Sequence, residues 1–468
     1  MKKVVVYCLL LITYCCIQTS CKKDSFITSN QASINITTDS LKYDTVFTST
    51  GSITKSFKII NENNQKLLLN TVKLMGGISS AYKINVNGVP TMEASNIELA
   101  ANDSIYVFVS ATINPSAANL PFIVSDSIQI KYNDNTRYVQ LQAFGQNAIF
   151  LRNQTISANT TWSNTKPYVI LDGLKIAENA TLTIPQGTKI YLHANAPILV
   201  DGTLIANGTK NNEVVFTGDR LDENYKDLPA SWPGIYFRQF SKNNFLQFAV
   251  IKNAYQAVVA EKPSVNINPK LILQQCILDN AFKEGLLLVN TFAQINNSLI
   301  SNCGNNVFIS YGGNYSFTNC TVVAYNSKYI THKNEVLGIT NFANTIGGVV
   351  TANLSATFRN TIFWGDNSFV DNEIQIAKQG ANPFTVLFEN NLYKNTTDPV
   401  NVTLTNNLKN INPTFNTVDV NKNIFDFRIT KDAAAPGINK GVATSFAKDL
   451  DDKARSVGLT DIGCYEKQ

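Results

Sequence analysis

Six segments of this chain fall into one register: "FLQFAVIKNA" (245–254), "ILQQCILDNA" (272–281), "INNSLISNCG" (295–304), "FTNCTVVAYN" (317–326), "FRNTIFWGDN" (358–367) and "FENNLYKN" (388–395). Phe248, Gln275, Asn297, Asn319, Asn360 and Asn390 share one position, at spacings of 27, 22, 22, 41 and 30 residues. Small or polar residues follow at once: Ala249, Cys276, Ser298, Cys320, Thr361 and Asn391. Two residues beyond the shared position stand Val250, Ile277, Leu299, Thr321, Ile362 and Leu392. The fourth segment drifts, with Val322 suited to the inward role. A period near 22 is too short for a domain, so each unit buries its apolar face only by stacking on its neighbours.

Short strands with asparagine at the bend predict a parallel β-helix, in which equivalent residues of successive coils lie about 4.8 Å apart. Stacked asparagines bond one another and tolerate the left-handed conformation that a tight bend needs. Asn297, Asn319, Asn360 and Asn390 are the expected ladder. Spacings above 22 imply insertions. The longest covers 327–350, which holds either a looped-out segment or a further coil. Earlier phrases, "GLKIAENATLTIPQGTKIYL" and "ILVDGTLIANGTKNNEVVFTG", resemble the opening coils of right-handed parallel β-helix proteins, and "PASWPGIYF" continues them. The tail, "FDFRITKDAAAPGINKG" and then "DLDDKARSVGLTDIGCYE", resembles the C-terminal end of a bacterial β-helix family that finishes in a "DIGAYE" phrase. That resemblance implies a β-helix over 150–424 and a cap over 425–468 that covers the open end of the solenoid, with its Asp/Arg pairs structural.

Residues 31–148 differ. "YDTVFT", "SFKII", "YKINV", "DSIYVFVSATI" and "DSIQIKY" alternate apolar and polar residues between Gly-, Asn- and Pro-rich turns, which predicts an antiparallel β-sandwich. The stretch resembles immunoglobulin-like spacer modules of bacterial surface proteins. The fold class expected is therefore all-β, a sandwich followed by a right-handed parallel β-helix.

The N-terminus carries Lys2 and Lys3, an apolar run from Val4 to Ile17, and then Thr19-Ser20-Cys21. The run is shorter than the roughly 20 residues that span a bilayer, so 1–20 reads as a secretory signal. Cys21 and its flank resemble the lipobox of bacterial outer-membrane lipoproteins, which implies cleavage before Cys21, lipid on its thiol and a tether over 21–30. Gln18 and the single acidic residue after Cys21 depart from the usual pattern; a soluble secreted protein is the competing reading.

Formal charge is +5 over 468 residues, and no basic run occurs, which argues against nucleic acid as a partner. The expected partners are a membrane, through the anchor, and a polysaccharide or surface protein. No cofactor motif stands out. Cys276, Cys303, Cys320 and Cys464 match no zinc spacing, and His193 and His332 stand alone in sequence. Cys276 and Cys320 would lie two coils apart, beyond the ~7 Å limit for a disulfide, so they are expected as buried thiols. The triplets "DTV" (44–46) and "DSI" (103–105, 126–128) resemble O-glycosylation sites of such exported proteins, and ordinary strand-entry chemistry accounts for them equally.

Helical pectinases that hydrolyse their substrate share "NTD", "DD", "GHG" and "RIK", and pectate lyases share "WIDH" and "RxPxxR"; this chain has only an acidic pair, Asp451-Asp452, and that lies in the expected cap. No catalytic residue is assigned. The most charged loop, 217–232, offers Arg220, Asp222 and Glu223 beside Trp232 and Tyr236, the candidate glycan-binding residues. A non-catalytic surface module for binding glycans or surface partners is the favoured function. A lyase-like, polysaccharide-active enzyme is the alternative.

Overall fold

A computed structural model describes residues 25–48, 51–115, 122–366, 369–429, 434–456 and 459–467. Cys21 and the segment before it lie outside the described residues. The chain divides into two compact units, 1–147 and 148–468. Among the described residues the only helix is the 3-10 turn Gly77–Ser79; the fold is all-β.

The first unit packs two five-stranded sheets face to face. One runs in the order Ile34–Ile36, Lys55–Asn61, Ser104–Ala111, Tyr82–Val86, Val89–Thr91, and is antiparallel throughout. The other runs Ser40–Phe47, Asn135–Gln146, Phe122–Tyr132, Leu67–Leu74, Glu93–Leu99. Its first pair is parallel and the remaining pairs are antiparallel. Alternate residues such as Ile105, Val107 and Val109 point inward and are buried, the period-2 pattern of a half-buried strand. The aspartates of both "DSI" triplets accept the amide N–H of the next serine at 2.7 Å; Asp103 does so at a strand entry, whereas Asp126 lies within the strand Phe122–Tyr132 and also accepts from Gly76 N (3.0 Å).

The second unit is one continuous 26-stranded sheet wound into a right-handed parallel β-helix. Thr321–Ala324 pairs directly with Ile362–Gly365, so Asn319 and Asn360 stand one coil apart. The long spacing is therefore an insertion, and it includes a two-stranded hairpin, Phe342–Thr345 with Gly348–Thr351. The core is layered. Phe358 stacks between Phe317 and Phe388 at centroid distances of 5.0 and 4.7 Å, each contact adding about 1 kcal/mol to the burial itself.

The aligned bend is left-handed in all six aligned segments. Its φ is 46° at Asn297, 53° at Asn319, 51° at Asn360 and 54° at Asn390. Gln275 (53°) and Phe248 (45°) adopt it too. For an aromatic residue this conformation costs about 1–2 kcal/mol, which burial of the Phe248 ring offsets.

Two expectations need correction. The inward residues are Ile251, Leu278, Ile300, Val322, Phe363 and Tyr393, in unbroken register, so Val322 marks no drift. The preceding row, including Ile277, Leu299, Ile362 and Leu392, faces outward. It stays apolar because Phe427, Leu450, Ile462, Cys464 and Tyr465 of the tail pack over it. The tail accordingly lies along the flank of the solenoid, not across its end.

Asparagine bends hold the tail there. Asn390 Nδ2 donates to Lys440 O (2.8 Å), and Asn360 exchanges bonds with Val442 (2.8 and 2.9 Å). Asn319 Nδ2 meets Thr444 Oγ1 (3.1 Å), Gln275 Nε2 donates to Asp449 O (2.6 Å), and Lys210 pairs with Asp451 (2.6 Å). Residues 440–451 thus descend coil by coil. The chain then returns through Arg455, whose guanidinium donates to Asn297 Oδ1 (2.8 Å), Gly463 O, Thr460 and Glu466. Every described cysteine is a buried free thiol, and burial pushes Cys276 and Cys320 up to about 12.

Asn360→Ala removes the tail bonds and strains the bend; a loss of about 2–4 kcal/mol is expected by denaturant titration, with Asn360→Gly less harmful because it relieves only the strain. The four buried thiols should react with a maleimide only after denaturant is added. Labelling of native Cys276 at pH 8 would contradict the structure.

Candidate functional site

A second corner of the coil carries a second asparagine row: Asn253 (φ 63°), Asn280 (φ 56°) and Asn302 (φ 50°). Asn280 Nδ2 donates to Asn253 Oδ1 (2.9 Å) and to Asp227 O (2.8 Å), while Asn253 Nδ2 donates to Lys226 O (2.8 Å). The signal was present in the sequence. Each of these asparagines follows the first row by five residues, inside the same aligned segments.

These bonds seat the charged loop and thereby shape a groove of about 470 Å³. One wall is the strand face bearing Lys252, Asp279 and Ser301, and Asp227 comes from the loop. The opposite wall is Phe425, Phe427, Arg428 and Tyr465 of the tail. The tail hairpin, Phe415–Asp419 with Ile424–Ile429, brings the phenylalanines and Arg428 here.

Charge in the groove is nearly balanced. Lys252 Nζ lies 3.9 Å from Asp227 Oδ1, a loose pair with net worth of about 0–1 kcal/mol. Arg428 is committed: it donates to both oxygens of Asp451 (2.6 and 2.9 Å) and to Asp426 (2.9 Å), and its guanidinium sits 4.9 Å from the Tyr465 ring centre. Asp279 accepts from Ser301 Oγ at 2.7 Å. Burial raises its carboxyl above the usual range and outweighs the Ser301 bond and Lys252, which act the other way.

The residues proposed from sequence are dispersed. Trp232 has no exposed surface; its ring packs in the coil interior and its Nε1 donates to Lys252 O (2.9 Å). It cannot stack on a ligand. Arg220 and Asp222 form a two-bond pair (2.9 and 3.1 Å), with Arg220 lying 3.9 Å over the Tyr225 ring, and Glu223 bonds Lys226 (2.7 Å). The loop satisfies its own charges and sends only Asp227 into the groove. Tyr236 lines a separate shelf of about 350 Å³ with Leu199, Arg238, Val259 and Glu261. Its hydroxyl donates to Pro233 O (3.1 Å). Neither histidine is alone in space. His193 bonds Asp219 (2.7 Å), and buried His332 bonds buried Glu373 (3.0 Å), which Lys394 approaches to 3.6 Å. That cluster is enclosed at a coil corner and pins the insertion.

A family model described as a pectate-lyase-like β-helix domain matches residues 154–244, the opening coils. No curated protein matches the chain. Among solved structures, a family 123 glycoside hydrolase from Clostridium perfringens is 10% identical; the match covers 24% of this chain and 25% of that one, with a TM-score of 0.18. A PapD-like domain of human CEP192 is also 10% identical, over 28% of this chain and 94% of that domain, with a TM-score of 0.17. At such scores neither structure bears on function. The family match agrees with the wound sheet: the second unit is a parallel β-helix, and its opening coils, 154–244, are similar to a pectate-lyase-like β-helix domain.

Asp279 has a folded pKa above its unfolded value, so the native chain keeps a proton over a pH window in which the unfolded chain releases it. Stability therefore falls as pH rises through that window. Asp279→Asn is expected to raise the melting temperature at neutral pH, with the gain vanishing below about pH 4. An equal gain at all pH values would show that Asp279 is not the titrating group.

Proposed function

We propose that this chain is an exported lipoprotein, held to the outer membrane through Cys21, whose β-helix binds carbohydrate in the groove between Lys252, Asp279 and the tail. In this reading the sandwich, with its likeness to immunoglobulin-like modules, is the spacer between anchor and coil. The observation that carries the binding claim is the composition of the groove. An ammonium, carboxyls, side-chain amides, a hydroxyl and aromatic edges converge on one open cleft, the mixture that recognises a polyhydroxylated ligand. The pectate-lyase-like family match supports a carbohydrate ligand.

Binding without turnover is favoured because two of the groove's charged groups are already held by neighbours, which leaves Lys252, loosely paired with Asp227, to meet a ligand. Arg428 is tied to Asp451 and Asp426, and the Asp279 carboxyl is engaged by Ser301. A lyase needs both a base and cationic support for the sugar carboxylate. The second reading, a polysaccharide-active enzyme, draws on one observation: a carboxyl with a raised pKa next to Lys252.

A glycan array probed with the full-length protein in detergent should reveal carbohydrate ligands, and Lys252→Ala should weaken them about tenfold, or about 1.4 kcal/mol. Absorbance at 235 nm growing with time in a polysaccharide solution would overturn the non-catalytic reading. Cys21→Ala should release the protein from membranes; retention there would refute the anchor.

A further inference from the structure

A third corner of the coil lies away from both asparagine rows. Ile235–Phe237, Val258–Glu261, Leu337–Thr340 and Ile374–Ala377 belong to one stack of strands. Asn244–Gln247, Leu271–Gln274, Leu354–Arg359 and Phe384–Glu389 belong to the next. The four connectors between these stacks, 238–243, 262–270, 341–353 and 378–383, therefore project from one edge of the solenoid.

Two kinds of side chain gather on that edge. Phe240, Val265, Ile267, Ile346, Val349 and Val350 are exposed, Ile267 and Ile346 almost wholly. Ile346 stands in the tight turn of the hairpin, where Asn, Asp or Gly is usual. The charged residues of the four connectors are Arg238, Lys242, Lys262, Lys270 and Lys378, with no Asp or Glu in any of them. Arg238 is held by Asp201 (2.9 Å). Lys262 and Lys378 are exposed and, with Lys242, enter no ion pair among the described residues. The edge is also rigid. Buried Lys270 donates to the carbonyls of Arg238, Gln239 and Glu261 (2.9, 2.9 and 3.0 Å), and Asn266 and Asn268 both donate to Asn243 Oδ1 (3.1 Å). Asn341 exchanges two bonds with Gln379, Nδ2 to its carbonyl (2.9 Å) and Oδ1 from its N–H (2.8 Å).

We propose that this edge is a peripheral membrane contact, in which Ile267, Ile346 and the neighbouring valines enter the acyl boundary of an anionic bilayer while Lys262 and Lys378 meet lipid phosphates. Charge complementarity selects the occupant. Apolar tips flanked by unpaired cations, with no carboxylate to be repelled, match an anionic lipid surface. Shape agrees. The near-complete exposure of the tips makes them protrusions, and they stand three coils, or about 14 Å, apart. A protein partner would need two matching hollows at that distance, whereas a bilayer yields to both. Holding of this kind is reversible on dilution, so the edge steadies a molecule already at a membrane and does not replace an anchor. The inference rests neither on the carbohydrate groove nor on Cys21.

The test is tryptophan fluorescence of the full-length protein carrying Ile346→Trp in a Cys21→Ala background, titrated with vesicles of phosphatidylethanolamine and phosphatidylglycerol that contain brominated acyl chains. Trp162, Trp232 and Trp364 are buried and give a constant background. Phe282→Trp, on an exposed residue at another corner, is the control. Quenching should be several-fold stronger at position 346 than at 282. The double variant Lys262→Glu, Lys378→Glu should lower vesicle affinity at least about tenfold. Ile267→Asp with Ile346→Asp should abolish binding and leave the melting temperature unchanged, because both side chains are exposed. Equal quenching at 346 and 282 would refute the inference. So would equal affinity for phosphatidylcholine vesicles, or an affinity unmoved by the lysine variants. Self-association in sedimentation that Ile346→Asp abolishes would make the occupant a second copy and overturn the proposal. None of these outcomes bears on the groove or on Cys21, so the proposed function stands or falls separately.

Discussion

Parallel strand stacking is the constraint from which the other features of the second unit follow. Each coil donates and accepts its sheet hydrogen bonds along the solenoid axis, so an unbroken register is needed from one coil to the next. The inward row Ile251, Leu278, Ile300, Val322, Phe363 and Tyr393 keeps that register through insertions of very different length. Insertions are tolerated because they leave the wound sheet at a corner and re-enter at the same step. The corners are where the sequence is least free. A left-handed bend, present at the first corner of the six aligned coils and at the second corner of three, restricts the residue there to asparagine or to one whose burial offsets the strain.

Asparagine at a bend has a second consequence. Its amide is a donor and an acceptor that the sheet does not use, and a column of such amides is a ready binding strip. In this protein the chain's own tail takes the first strip. Lys440, Val442, Thr444, Asp449 and Arg455 each meet a different bend, and Arg455 reaches Asn297 from a nearly buried position. That contact resolves the apparent excess of apolar residues on the adjoining strands. They are buried on both faces, by the core on one side and by Leu450, Ile462 and Tyr465 on the other.

The repeat, the bends and the two-part architecture were legible because each leaves a local signature: a period, an Asn at a fixed position, alternation in the sandwich. What escaped was the direction of side chains. A strand apolar at consecutive positions does not tell which residue points inward, nor does the tail's own sequence tell that it packs along the flank and not over the end. The site was less legible still. Trp232 beside a charged loop reads as a ligand platform in one dimension; in three, its ring fills the coil interior and the loop's charges close on themselves. Asp279 and Lys252 sit in segments already aligned, yet nothing local marks them, because their groove is made by a tail that begins more than a hundred residues later.

The same physics sorts the open surfaces of the coil. Where the tail and the charged loop meet the strand face, charges accumulate because both partners bring them, and most are neutralised by one another; Arg428 with Asp451 is the clearest case. Where neither reaches, the outward rows are what stacking favours on a solvated face: Asn, Ser and Thr, whose short side chains bond to neighbours one coil away, as Asn382 does to Asn353 at 3.1 Å. A surface repeated at the sheet spacing and stripped of charge has little to offer an ion and much to offer a polymer of hydroxyls.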